Sequence, residues 1–318
     1  MLAAVLAALS LAVAAPAAAQ HPIASPVWSF DGTRIAWAEA SGAGQHEIWS
    51  ANADGTNQHR IAPGIDSLFE FAWLPSGDFI YDANYRLFRV GSDGQPRPVG
   101  SGVTFSVDRK GALVAYQTAD LCPSCHGPIE VRSLSSGKAW RIAATGQSLF
   151  PALSPDGTSV AFTRFLSSGR GRYEKQGGIW IASSRGGTPV RRTATGSCPQ
   201  WSPDGRRLTY ADASGLHLID RAGGAGTLLL RGGNLPACSV AWAPDGKRIA
   251  AATSHGRLLV IDAATRASHP IGPTHSLSFA WAPDGSRLLV TGGATGQSCP
   301  ALWSVKPDGS ALRRLRGC

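Results

Sequence analysis

The sequence predicts an all-β fold: a β-propeller of four-stranded antiparallel blades, seven of them. Three observations carry this. A pentad of the form Trp201-Ser202-Pro203-Asp204-Gly205 recurs along the chain, its glycine returns about every 40 residues, and no stretch shows the period of an amphipathic helix. The other full copies are Leu153-Ser154-Pro155-Asp156-Gly157, Trp242-Ala243-Pro244-Asp245-Gly246 and Trp281-Ala282-Pro283-Asp284-Gly285.

The turn glycine falls at Gly32, Gly77, Gly111, Gly157, Gly205, Gly246 and Gly285, which marks seven units. Four residues before it stand Trp28, Trp73, Val107, Leu153, Trp201, Trp242 and Trp281, a packing position repeated in register. Burying each Trp is worth on the order of 4 kcal/mol by area, as an upper bound. Proline pre-sets φ for the first turn position, Asp tolerates the next, and Gly takes the left-handed one, so each unit opens with a hairpin.

A short apolar strand follows each turn, as in Arg34-Ile35-Ala36-Trp37 and Ser159-Val160-Ala161-Phe162. A third strand follows, as in Glu47-Ile48-Trp49 and Ile179-Trp180-Ile181, then a second Gly-bearing turn such as Asp54-Gly55. A more polar fourth strand closes the unit, as in Gln58-His59-Arg60-Ile61. Four strands repeated seven times, each unit too small to fold alone, describe a propeller. A solenoid fits less well, because each unit holds a full meander with two hairpin turns. Strand order further predicts a ring closed by side-chain packing between the first and last blades.

The bulk properties agree. Of 318 residues 43% are hydrophobic, 38 are Gly and only 16% are charged, as a turn-rich β protein requires. The net charge of +9 suits acidic partners such as anionic envelope polymers, or is simply a basic soluble surface. Residues 1–20 read as a signal peptide: an uncharged run of Ala, Leu and Val ending in Ala17-Ala18-Ala19. An uncleaved anchor is the alternative. Residues 21–318 read as a single propeller domain, with no transmembrane segment after cleavage.

The units resemble those of the TolB-type propellers, exported bacterial proteins built from Trp-Ser-Pro-Asp-Gly repeats. The resemblance covers roughly residues 25 to 316. It is strong in units one, four, five, six and seven, and weakest at Val107-Asp108-Arg109-Lys110-Gly111. It implies an exported propeller that binds partners. The best-known member is six-bladed with an additional N-terminal domain, whereas this chain shows seven units and none before the first, so that member's partners are not carried over.

Departures from the repeat hold the candidate sites. Cys122-Pro123-Ser124-Cys125-His126 spells the haem-attachment pattern, but also fits a local disulfide or, with a fourth ligand, zinc. The six cysteines of an exported chain suggest disulfides. Cys198 and Cys238 precede the innermost strands of adjacent blades on one side of the disc and are expected to pair. Cys299 with Cys318 is the second expected pair, and Cys122 with Cys125 the third by elimination.

Arg34, Arg206, Arg207, Lys247, Arg248 and Arg287 stand just beyond the turns and are expected on one face, as a surface for an acidic partner. The segment Phe165 to Gly178, with Arg170, Arg172 and Lys175, is the largest excursion and the second candidate. No Gly-x-Ser-x-Gly, His-Glu-x-x-His or phosphate-binding loop occurs, and the eight histidines are scattered. No cofactor or metal is expected.

These readings lead to an exported, periplasmic or extracellular, monomeric scaffold without catalytic activity. Its partner is a protein or an anionic envelope ligand, not nucleic acid. The alternatives are a propeller enzyme acting on a carbohydrate or ester, favoured if acidic or histidine side chains cluster at the channel mouth, and a haem protein through Cys122, Cys125 and His126.

Overall fold

In the computed structural model every regular element is a strand, 27 of them among the described residues, joined by tight turns. The described residues are 23–41, 44–68, 70–118, 127–142, 147–167, 173–232, 235, 238–293 and 300–317. The strands form seven consecutive antiparallel meanders: 23–66, 71–101, 102–141, 147–191, 197–231, 240–271 and 275–316, here blades 1 to 7. Blades 2 and 3 share the continuous strand Pro96–Val107, whose first half pairs with Arg86–Val90 and whose second half pairs with Leu113–Thr118. The sequence unit and the blade therefore coincide.

The turns form for the reasons the pentad suggests. At Trp201-Ser202-Pro203-Asp204-Gly205 the amide of Gly205 donates to the carbonyl of Ser202 at 2.8 Å, and Gly205 has φ of 68°. The Ser202 hydroxyl donates to Asp204 Oδ1 at 2.6 Å, and that carboxylate accepts from the amide of Arg206 at 3.0 Å. Oδ1 of the turn Asp is thus engaged within its own turn. In unit three, Gly111 packs against Pro75 so closely that a Cβ there would stand 2.5 Å from the proline ring.

The core lies between blades rather than in one centre. Trp73, Trp201, Trp242 and Trp281 are all buried. Trp201 Nε1 donates to the carbonyl of Ala152 in the preceding blade at 2.9 Å, and Trp281 Nε1 to that of Ala241 at 3.2 Å. Blades 7 and 1 close the ring by packing, as the strand order predicts. Ile35, Trp37, Leu289 and Leu302 share one apolar cluster, and the Ser25 amide donates to Ser278 Oγ at 3.0 Å.

Cys198 and Cys238 form the expected disulfide, with Cα atoms 4.9 Å apart. Cys122, Cys125, His126, Cys299 and Cys318 lie outside the described residues, and so do residues 1–20. No helix among the described residues is long and apolar enough to cross a membrane.

Candidate active site

The innermost strands share a local device. Several carry a residue of positive φ near their start, where the register slips and a backbone amide is released from the ladder: Ser25, Thr104, Phe150 and Cys198. A released amide needs an acceptor. Ser25 finds Ser278 Oγ, and Cys198 finds Thr163 Oγ1 at 3.0 Å, each on the preceding blade. Between blades 2 and 3 the acceptor is different. The amide of Phe105, next to Thr104, donates to Glu70 Oε2 at 2.7 Å.

Glu70 immediately precedes the innermost strand of blade 2, Phe71–Trp73, and so sits where that strand begins, on the face opposite the Pro-Asp-Gly turns. Its own amide donates to Asp82 Oδ1 at 2.7 Å, and the Asp82 amide donates back to the Glu70 carbonyl at 3.1 Å. Asp82 is fully buried in the second strand of the blade, Phe79–Ala83. Two carboxyl-bearing residues are thereby locked together at the inner rim.

This environment sets the Glu70 carboxyl. Burial pushes its pKa up to about 7, the Phe105 amide pulls it partly back, and the Asp82 charge adds to the rise. A carboxyl that titrates near neutrality can accept a proton in one form and donate it in the other, which suits general acid–base chemistry. Charged groups strongly perturbed by burial plus a specific neighbour concentrate at functional sites. The sequence reading missed Glu70. The available signal was a lone carboxylate between two phenylalanines, Phe69 and Phe71, directly before an innermost strand.

The predicted basic face resolves into two kinds of residue. Arg34, Arg207 and Arg248 are half-buried and lie over the indoles of the next blade: over Trp73 at 5.0 Å, Trp242 at 5.2 Å and Trp281 at 5.2 Å. Their donors are also engaged. Arg34 donates to Ser50 Oγ at 3.0 Å, Arg207 to the Gly246 carbonyl at 3.3 Å, and Arg248 to Asp245 at 2.7 Å and the Gly285 carbonyl at 3.0 Å. Arg287 bonds to Ser304 Oγ and the Ala311 carbonyl. Arg34, Arg207 and Arg248 thus tie neighbouring blades together, whereas both of Arg287's partners lie within its own blade. Arg206 and Lys247 stand exposed on the same face.

The excursion of blade 4 is ordered strand over much of its length rather than loop. Ser159–Ser167 pairs with Tyr173–Ser183, with Leu166 opposite Lys175 and Ser167 opposite Tyr173. Arg170 and Arg172 lie outside the described residues.

No protein-family model matches the chain, and no curated protein matches it. Solved structures do. An oligogalacturonate lyase in complex with manganese superimposes with a TM-score of 0.70 at 17% identity, covering 90% of this chain and 89% of that one. An oligogalacturonate lyase from Vibrio parahaemolyticus gives 0.71 at 12% identity, covering 89% and 90%. A puromycin hydrolase variant gives 0.72 at 17% identity; 93% of this chain is covered but only 54% of that one.

At these identities the likeness establishes the fold, and the three structures named are of enzymes. They correct the expectation of a non-catalytic scaffold, which rested on the absence of sequence motifs. A carboxyl pair such as Glu70 and Asp82 leaves no linear motif, because its partners come from different strands. Manganese belongs to the first of those structures. Among the described residues here, no group of three or more His, Cys, Asp or Glu side chains could hold a metal ion.

Proposed function

We propose that this chain is a propeller enzyme acting on a carbohydrate, with Glu70 as the group that takes up or gives the proton. One observation carries the reading: a carboxyl titrating at about 7, backed by buried Asp82 and fixed by the Phe105 amide at the inner rim. The full-length overlap with two lyases of oligogalacturonate supports a sugar substrate. The net charge of +9 supports an anionic one, since a basic surface raises the local concentration of acidic chains. A second reading, an ester-cleaving enzyme, draws on the hydrolase likeness. The resemblance of the repeats to TolB-type propellers and the disulfide support export to an oxidising compartment as part of the same proposal.

The test is turnover by the purified protein of oligogalacturonates, neutral oligosaccharides and p-nitrophenyl esters. The expected result is turnover of a sugar that falls about 100-fold or more in Glu70→Gln, with a pH profile that breaks near neutrality. Turnover of esters alone would select the second reading. A Glu70→Gln protein as active as the parent would remove Glu70 from the chemistry.

A further inference from the structure

The junction between blades 7 and 1 departs from its counterparts on the turn face. Three other junctions place an Arg over the next blade's Trp. Here the equivalent Arg287 turns away, donating to Ser304 Oγ at 2.6 Å and to the Ala311 carbonyl at 2.9 Å. Trp28 therefore lacks the guanidinium that lies over Trp73, Trp242 and Trp281, and Trp201 too has one, from Arg221. Trp28 is half-buried where those four are buried; its indole N–H finds no acceptor, as is also true of Trp73 and Trp242.

Beside Trp28 opens a cleft of about 860 Å³, the size of a small-molecule site. Asp31, Asp54, Asp284, Leu312 and Arg313 share its wall. Leu312 is 45% exposed, and Phe30, 41% exposed, stands next to Asp31 at the position where five other turns carry Pro. These are two of the three exposed large apolar side chains among the described residues.

The chemistry of the wall selects a ligand class. Hydrogen bonds from Ser29, Thr56 and Ser286 hold Asp31, Asp54 and Asp284 below the usual carboxylate range, so all three are acceptors without a proton at neutral pH. Arg287 and Arg313 can only donate. An organic anion meets three carboxylates, and an organic cation meets two guanidinium groups. A hydroxyl donates and accepts, so a hydroxyl-rich ring suits both sets, and an aromatic side chain in the wall suits the ring's C–H side. We infer that the seam cleft is a binding subsite for a neutral saccharide, with a pyranose ring stacked on Trp28. The cleft lies on the face opposite Glu70, and the inference does not depend on the catalytic assignment.

The test titrates ¹⁵N-labelled protein with maltohexaose, cellohexaose and mannohexaose, with trigalacturonate as the anionic comparator. The indole N–H resonance of Trp28 is assigned through Trp28→Phe. The expected result is a saturable shift of that resonance by at least one neutral hexasaccharide, with affinity reduced about tenfold or more in Trp28→Ala. Should Trp28→Ala fail to fold, Arg313→Ala at an exposed position is expected to weaken binding about threefold or more with an unchanged circular dichroism spectrum. A Trp28 resonance that none of the neutral sugars moves, binding that survives both substitutions, or preference for trigalacturonate would overturn the assignment.

Discussion

Arg316 reaches across 277 positions of sequence to hold Glu39 in a two-pronged ion pair, Nε to Oε1 at 2.9 Å and Nη2 to Oε2 at 3.1 Å. The same guanidinium donates to Gln58 Oε1 at 2.6 Å and stacks over Trp49, 4.9 Å from the ring centre. Glu39 also accepts from Trp37 Nε1 at 2.7 Å. The last blade is thus clasped to the first by a fork that satisfies a nearly buried carboxylate. Arg316→Ala should cost about 3 kcal/mol, because it leaves that carboxylate unpaired, and Arg316→Lys should recover less than half of the loss. Urea unfolding measures both. Arg60→Ala, which removes a more exposed pair with Glu47, should cost less than about 1 kcal/mol.

The Arg-over-Trp contact is a second clasp, repeated at several blade junctions. Arg248→Ala removes the cover of Trp281 and the bonds to Asp245 and the Gly285 carbonyl, and should cost about 2 kcal/mol. Arg206→Ala, one residue before the equivalent position of blade 5 and exposed, should change stability by less than about 0.5 kcal/mol. Equal losses in the two variants, read by thermal unfolding, would contradict the division of the basic residues into clasps and free surface.

The Cys198–Cys238 disulfide ties adjacent blades across a sequence separation of 40. Closing a loop of that length restricts the unfolded chain by about 4 kcal/mol in the chain-entropy account. Replacing both cysteines with Ser should lower the unfolding midpoint without changing the circular dichroism spectrum. The Cys198 amide keeps its bond to Thr163, so the innermost strand should hold its path.

Two sets of carboxyl groups give this protein's stability opposite dependences on pH. Asp212 is partly buried, which opposes ionisation, but bonds from the Ser214 hydroxyl and amide, Thr195 and His217 outweigh that and hold its pKa at about 2. Asp156 is held at about 2 in the same way by Ser154, Thr158 and Arg221. A folded pKa below the unfolded 3.8 adds stability that is present above that value and lost as pH falls from 3.8 through 2. Glu70 is the reverse: raised from 4.5 to about 7, it is best tolerated protonated, and stability is lost as pH rises through that window. Glu70→Gln should therefore stabilise the fold at pH 8, by an amount on the order of 2 kcal/mol, while removing the proposed acid–base group. Asp212→Asn should flatten the acid limb of the stability profile.

The architecture was legible because it is repeated. An apolar residue, most often Trp, recurs four residues before each turn Gly, and Pro-Asp-Gly admits few turns, so the count of units predicted the count of blades. The ring closure and the Cys198–Cys238 pair followed from strand order alone. What was not legible depended on single positions. Arg34, Arg207 and Arg248 read as surface charge because each partner indole belongs to the next unit, 33 to 39 residues on. Glu70 read as nothing, because its significance comes from Asp82 and the Phe105 amide on other strands. The absence of a linear catalytic motif therefore led to the wrong conclusion about activity.

The most direct test of the central claim is the titration of the Glu70 carboxyl itself. Carbon-detected NMR of protein labelled at glutamate carboxyl groups, with the resonance assigned by its loss in Glu70→Gln, gives the midpoint without any substrate. A midpoint near 7, well separated from the other glutamates, is the predicted result. A midpoint near 4.5, the ordinary value, would show a carboxylate that stays ionised at neutral pH and serves only to pin the Phe105 amide.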